Sequence, residues 1–207
     1  MSCIYILRTL RYLNNSRELV VGVDLGHPRR RSTGVCFYSE DTDRYIILTI
    51  TPVEVLSLLT ALKDQVKVVA IDAPLSLPRK GIERDLEKYC RKLGLRLIPP
   101  LLGPMRRLTI CGICIKDVLE KMGIKVIETH PSSCLKLAEV DRRDILNIVR
   151  SKILNISKLD KHGVDALICC LVSVAYVKRL HIELKVGEDS LILFNGRLIQ
   201  WLRRERQ

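Results

Sequence analysis

Apolar and polar residues alternate along this chain in blocks short enough to be single elements. Glu18–Leu25 (ELVVGVDL) is β-branched and apolar and closes on Gly26, which predicts a buried strand. A basic turn, His27–Ser32, leads into Thr33–Ser39 and Arg44–Ile50, two further strand patterns separated by the polar stretch Glu40–Asp43. Together they predict a three-stranded antiparallel meander. Pro52 then opens a helix with Val55, Leu56, Leu58, Leu59 and Leu62 on its apolar side. Val66–Ala73 is apolar almost throughout and is stopped by Pro74, as expected of a central strand covered on both faces.

The second half follows the same logic. A charged helix is expected from about Ile82 to Leu93, and Pro99, Pro100 and Pro104 punctuate an irregular stretch before a helix reaching Met122. Ile124–Thr129 (IKVIET) is a fifth strand, short helices fill Ser132–Asn155, and His162–Lys178 is apolar nearly all round, hence a buried helix. In the tail, Asn195-Gly196 lies between the apolar runs Leu191–Phe194 and Arg197–Trp201, a strong signature of a hairpin turn. The pattern predicts one domain over residues 1–207 with a mixed five-stranded sheet, α/β or α+β, and a C-terminal hairpin over 190–203. Residues 1–17 read either as a short extra element or as an N-terminal extension.

Composition changes this picture in two ways. Lys and Arg number 35 against 23 Asp and Glu, a net charge of +12, which favours a phosphate-rich partner; nucleic acid is the expectation. A surface rich in ion pairs explains high charge but not a large imbalance. Aromatic residues make up only 4%, which argues against binding single strands by base stacking and for recognising the backbone of duplex or branched nucleic acid. No apolar run is long enough for a membrane span and no signal peptide is read, so a cytoplasmic protein, monomer or homodimer, is expected. The eight cysteines include a lone C-x-x-C, Cys111 and Cys114, with no second ligand pair, so most are read as small buried hydrophobes rather than zinc ligands.

The candidate chemistry sits where strands end. Asp24, Asp72 and Glu128 each stand at the carboxyl end of a predicted strand, and function in open α/β sheets collects there. Asp165 begins the buried helix, where a free carboxylate needs a partner. Taken singly, each acid has a simpler reading: a turn residue, a helix-dipole carboxylate or a lysine partner. Clustered, they would repel unless neutralised, and their hard oxygens select Mg²⁺ or Mn²⁺.

The stretch VGVDLGHPRRRSTGVCFY resembles the first hairpin of ribonuclease H-like nucleases and Holliday-junction resolvases, and HGVDALICCLVSVAY is similar to the last catalytic helix of the resolvases. The order VGVDLG, VVAIDAPLSLP, Arg84-Asp85, VIETHPSSCLKL, GVDALICCLV resembles, over residues 19–200, a family of predicted nucleases of that fold with a domain of unknown function. The resemblance implies a ribonuclease H-like α/β fold with strand order 3-2-1-4-5, and His162 one helical turn before the last acid.

In a two-metal phosphodiester hydrolysis, Asp24 would bridge two ions, Asp72 and Glu128 would each complete one coordination sphere, and Asp165 would hold the second ion or orient water. His162 would join the metal shell or shuttle a proton, or else serve as a helix-end surface residue. Arg29, Arg30 and Arg31 after the first acid, and Arg79, Lys80 and Arg84 after the second, would grip phosphates, or form solvated basic loops. Two rival functions stand beside this one. A non-catalytic nucleic-acid-binding domain would keep the fold without turnover. A phosphotransferase of the actin and sugar-kinase type would need a second Asp-x-Gly loop, whereas Asp72 is followed by Ala-Pro.

Overall fold

The computed structural model describes residues 12–13, 16–26, 32–154 and 159–205. Strands β1 (Leu19–Asp24), β2 (Thr33–Ser39), β3 (Arg44–Ile50), β4 (Val66–Asp72) and β5 (Lys125–Glu128) form one mixed sheet in the order β3-β2-β1-β4-β5. β2 pairs antiparallel with both β1 and β3, while β1, β4 and β5 run parallel. This is the mixed five-stranded sheet expected from the pattern of apolar runs, in the strand order that the resemblance implies. The two central parallel strands, β1 and β4, are largely apolar because helices cover both their faces.

Alternate residues of each strand feed two separate cores. Leu19, Val21, Val23, Val69 and Ile71 pack with helices α1 (Pro52–Ala61) and α3 (Met105–Lys121) on one face. Leu13, from the N-terminal segment, is buried in the same core. Helix α1 begins with a capping box: Thr51 Oγ1 accepts from the Glu54 amide at 3.2 Å, and Glu54 accepts from the Thr51 amide at 2.8 Å.

On the other face lies α6 (Lys161–Val177), together with α2 (Asp85–Lys92), α4 (Pro131–Ala138) and α5 (Arg142–Val149). Helix α6 is buried nearly all round and lies very close to the sheet, because the strand positions beneath it carry no side chain. A Cβ on Gly22 would stand 1.9 Å from the Cys170 amide nitrogen, and one on Gly34 would stand 2.1 Å from the His162 carbonyl oxygen. Ser173, within the apolar helix, donates to the Val21 carbonyl at 2.7 Å and accepts from the Ala70 amide at 3.1 Å, which ties β1 to β4. Gly22→Ala is therefore expected to lose stability toward the upper end of the roughly 1–3 kcal/mol typical of overpacking. Urea denaturation of the variant beside the wild type measures this.

Two elements differ from the sequence reading. The hairpin is not at Asn195-Gly196: it pairs β6 (His181–Val186) with β7 (Asp189–Phe194), turning through Gly187, whose φ is +61°. Asn195 instead caps α7 (Gly196–Arg204), its side chain accepting from the Arg197 amide at 3.0 Å. Leu198, Ile199 and Leu202 are buried at helical spacing, so Asn-Gly here is a helix start rather than a strand reversal. Helix α2 is also shorter than expected, because Arg84 stands at its N-cap and the residues before it form turns.

Candidate acidic site

The two central parallel strands bring two of the four acids together. Asp24 and Asp72 are partners in the β1–β4 register, so their side chains leave the same face of the sheet, the face that α6 covers. The glycine groove under α6 then sets the start of that helix over the strand ends. His162 lies above Gly34, and its Nδ1 is 2.7 Å from Asp24 Oδ2. Asp165, one turn further along α6, is buried and takes a two-pronged ion pair from Arg142 of α5, at 2.8 and 3.2 Å.

Asp24 and Asp165 thus each have a cationic or potentially cationic neighbour, whereas Asp72 has neither a hydrogen bond nor an ion pair with any described residue. Burial pushes its carboxyl well above the usual range, and the nearby Asp24, Asp165 and Glu128 push it further. Burial also raises Asp24, against the hydrogen bond and charge of His162.

A raised acid favours folding while it is protonated. Its contribution is complete below the unfolded carboxyl value of about 3.9 and is lost as pH rises through the folded value. In chelating buffer, wild type is therefore expected to lose stability relative to Asp72→Asn as pH rises from about 4, and to match it below. Thermal midpoints of the two proteins across pH 3.5–8 check this.

Glu128 stands differently. Its register partner is Ile71, which faces the opposite core, so strand alternation sets its side chain off on the other phase from Asp72. Its carboxylate is bound by Arg84 at 2.5 and 2.8 Å and accepts from the Leu75 amide at 2.8 Å. Burial lifts the Glu128 carboxyl in spite of Arg84.

Arg84, expected on a phosphate-gripping loop, is 3% exposed. Its guanidinium is shared between Glu128 and Glu87, the latter at 2.5 Å, and also donates to Ser76 at 2.9 Å. Burial disfavours its charge, but Glu128 and Glu87 more than offset this and raise its pKa. The expectation for Arg84 is thus corrected: its donors are spent on buried carboxylates. Of its two companions, Lys80 is exposed, and Arg79 is exposed with Glu188 at 3.8 Å. Arg29, Arg30 and Arg31 lie outside the described residues.

One cleft joins Asp24, Asp72 and Glu128 at the carboxyl edge of the sheet. His130 lines it too, a residue that sequence reasoning passed over although it directly follows the fifth strand. Its Nδ1 is 2.8 Å from Ser133 Oγ, and burial lowers its pKa. The far wall is apolar, from Leu97 and Ile98 to Met105 and Leu108.

Among the described residues, no three His, Cys, Asp or Glu side chains are drawn together into a metal-holding group. The seven described cysteines are free, and five of them are buried, Cys111 and Cys114 being the two that are not. No described helix is long and apolar enough to cross a membrane. Compared with known proteins, the chain matches no family model and no curated sequence, and the site is therefore read from its own geometry.

Proposed function

We propose that this chain is a ribonuclease H-like hydrolase that cleaves phosphodiester bonds of nucleic acid with the help of Mg²⁺ or Mn²⁺. The observation that carries this reading is Asp72: a carboxylate with no hydrogen bond or ion pair to any described residue, side by side with Asp24 and within the electrostatic reach of Asp165. Such a group is costly unless protonated or bound to a cation.

The chemistry of the donors, carboxylate oxygens, suits a hard divalent ion, and the described side chains would have to draw together to hold one. Asp24, Asp72 and Asp165 would hold it, and His162 and Arg142 are each 39% exposed at the side chain, free enough to swing aside as it enters. When bound, the ion would polarise the phosphoryl oxygen and lower the pKa of a water. Asp24 would be central, because it is the register partner of Asp72 and is bonded to His162 at the start of α6. His162 would orient Asp24 and, once released from it, accept or return a proton. Glu128 would act from one step back: fixed by Arg84, it holds the Leu75 amide and with it the backbone that leaves Asp72.

A specific observation favours the rival reading of a non-catalytic nucleic-acid-binding domain. Asp24 and Asp165 are already partnered by His162 and Arg142, as they would be in a site that never takes an ion. The experiment that separates the two is a cleavage assay on single-stranded, duplex, hybrid and branched substrates with Mg²⁺ or Mn²⁺, using wild type and Asp72→Asn. Cleavage by wild type that chelator abolishes and Asp72→Asn lacks supports the hydrolase. Salt-sensitive binding without cleavage under either metal supports the binding domain.

A further inference from the structure

The acidic cleft has a neighbour. Beyond Leu25 and Leu108, which line both, a second cavity of about 470 Å³ opens between the end of β1 and the start of α3. That volume lies within the roughly 300–1,000 Å³ typical of small-molecule sites. Its walls are aliphatic, from Leu25, Leu108 and Pro104, and its two cationic or polar side chains are Arg107 and His162. Arg107 makes no ion pair with any described residue, so its fork of donors is available to an anion. His162 is the residue bonded to Asp24, which places the cavity directly against the acidic centre.

We infer that this cavity is a nucleotide subsite, taking one nucleoside unit beside the phosphate that enters the acidic cleft. The inference rests on the hydrolase reading for its substrate class. The group attached to a phosphodiester in nucleic acid is a nucleoside, flat and largely apolar in its base. The base would lie against Leu25, Pro104 and Leu108, and Arg107 would take the phosphate. Aliphatic walls bury the faces of a base without selecting its sequence, because they offer no hydrogen-bonding edge. The cavity is open on one side, and its volume has room for one unstacked nucleotide rather than a base pair, so a strand would be bound by an end or by a flipped unit.

The test is calorimetric titration of the full chain, in chelating buffer, with adenosine 5′-monophosphate, ribose 5-phosphate and inorganic phosphate. Adenosine monophosphate is expected to bind about 10-fold more tightly than the other two, a margin of about 1.4 kcal/mol. Leu108→Trp, which fills the shared wall, is expected to erase that margin. Arg107→Ala is expected to weaken all three. Equal affinity for adenosine monophosphate and phosphate in wild type, no binding of any, or indifference to both substitutions would overturn the subsite. The wild-type comparison stands even if Leu108→Trp folds poorly. Because no metal is present, a failure here is distinct from a failure of the hydrolase reading, which shows only in metal-dependent cleavage.

Discussion

Arg84→Met is expected to destabilise the protein by about 3–5 kcal/mol, the cost of leaving a buried charge without its partner. Here two charges would be stranded, since Glu87 and Glu128 both rely on the same guanidinium and are themselves 1% and 6% exposed. The aliphatic replacement nearly preserves volume, so the loss is electrostatic rather than a packing defect. Urea denaturation supplies the measurement, and the double variant Arg84→Met with Glu128→Gln supplies the control. Neutralising Glu128 as well should recover part of the loss, because one of the two stranded charges is gone. A loss below about 1 kcal/mol would mean that the carboxylates take up protons and the network relaxes at little cost.

Asp24→Asn is expected to abolish turnover while leaving nucleic-acid binding in place. Removal of one preorganised charge-stabilising group from an active site costs about 10²–10³ in rate, and Asp24 links the strand-end acids to the start of α6. It is the register partner of Asp72, the hydrogen-bond partner of His162 and an electrostatic neighbour of Asp165. Asparagine keeps the shape, and its amide can still meet the imidazole, so folding should be intact. In chelator the variant is expected to be somewhat more stable than wild type near neutral pH, since one of several repelling carboxylates is gone. Single-turnover cleavage, binding by fluorescence anisotropy and a thermal melt read the three effects apart. Equal cleavage by both proteins would place the activity elsewhere.

Much of this arrangement is legible from residue order alone. β1, β3 and β4 end two residues before Gly26, Pro52 and Pro74, β5 three before Pro131 and β2 at the polar stretch Glu40–Asp43, and β-branched runs of that length leave little freedom in their boundaries. The apolar runs place the central strands, and the full order of five is what the family resemblance implies. That Asp24 and Asp72 share a face could be anticipated from both being the last residue of adjoining parallel strands.

Arg84 could not be read in the same way. A basic residue in a loop after the second acid has the same local signature whether it meets phosphate or a carboxylate 44 positions away. Only the partner's place in space decides between them, and that partner, Glu128, belongs to another strand. Glu128 lines the same cleft as Asp24 and Asp72, but its register relative to them was hidden for a related reason. A strand-end acid one register step out of phase looks identical in sequence to one in phase. Asn195 shows a third kind of ambiguity: its side chain can close a turn or cap a helix, and the spacing of Leu198, Ile199 and Leu202 beyond it is what decides. His130 carried a usable signal, since it too follows a strand end, but a histidine beside a proline reads equally well as a helix cap.

The contact between α6 and the two strand glycines reaches beyond packing. Because backbone meets backbone there, the height of His162 and Asp165 above the sheet is set by the thickness of the peptide chain itself, with no side chain to flex or adapt between them. The fold thus acts as a rigid gauge: a single methyl inserted at Gly34, 10 residues along the chain from Asp24, would lift the His162 end of the helix and open the Asp24–His162 contact. Mutations that leave every acid untouched would then still detune the site, and second-site changes restoring activity would be sought among the small residues of α6, starting with Ala166, rather than among the acids.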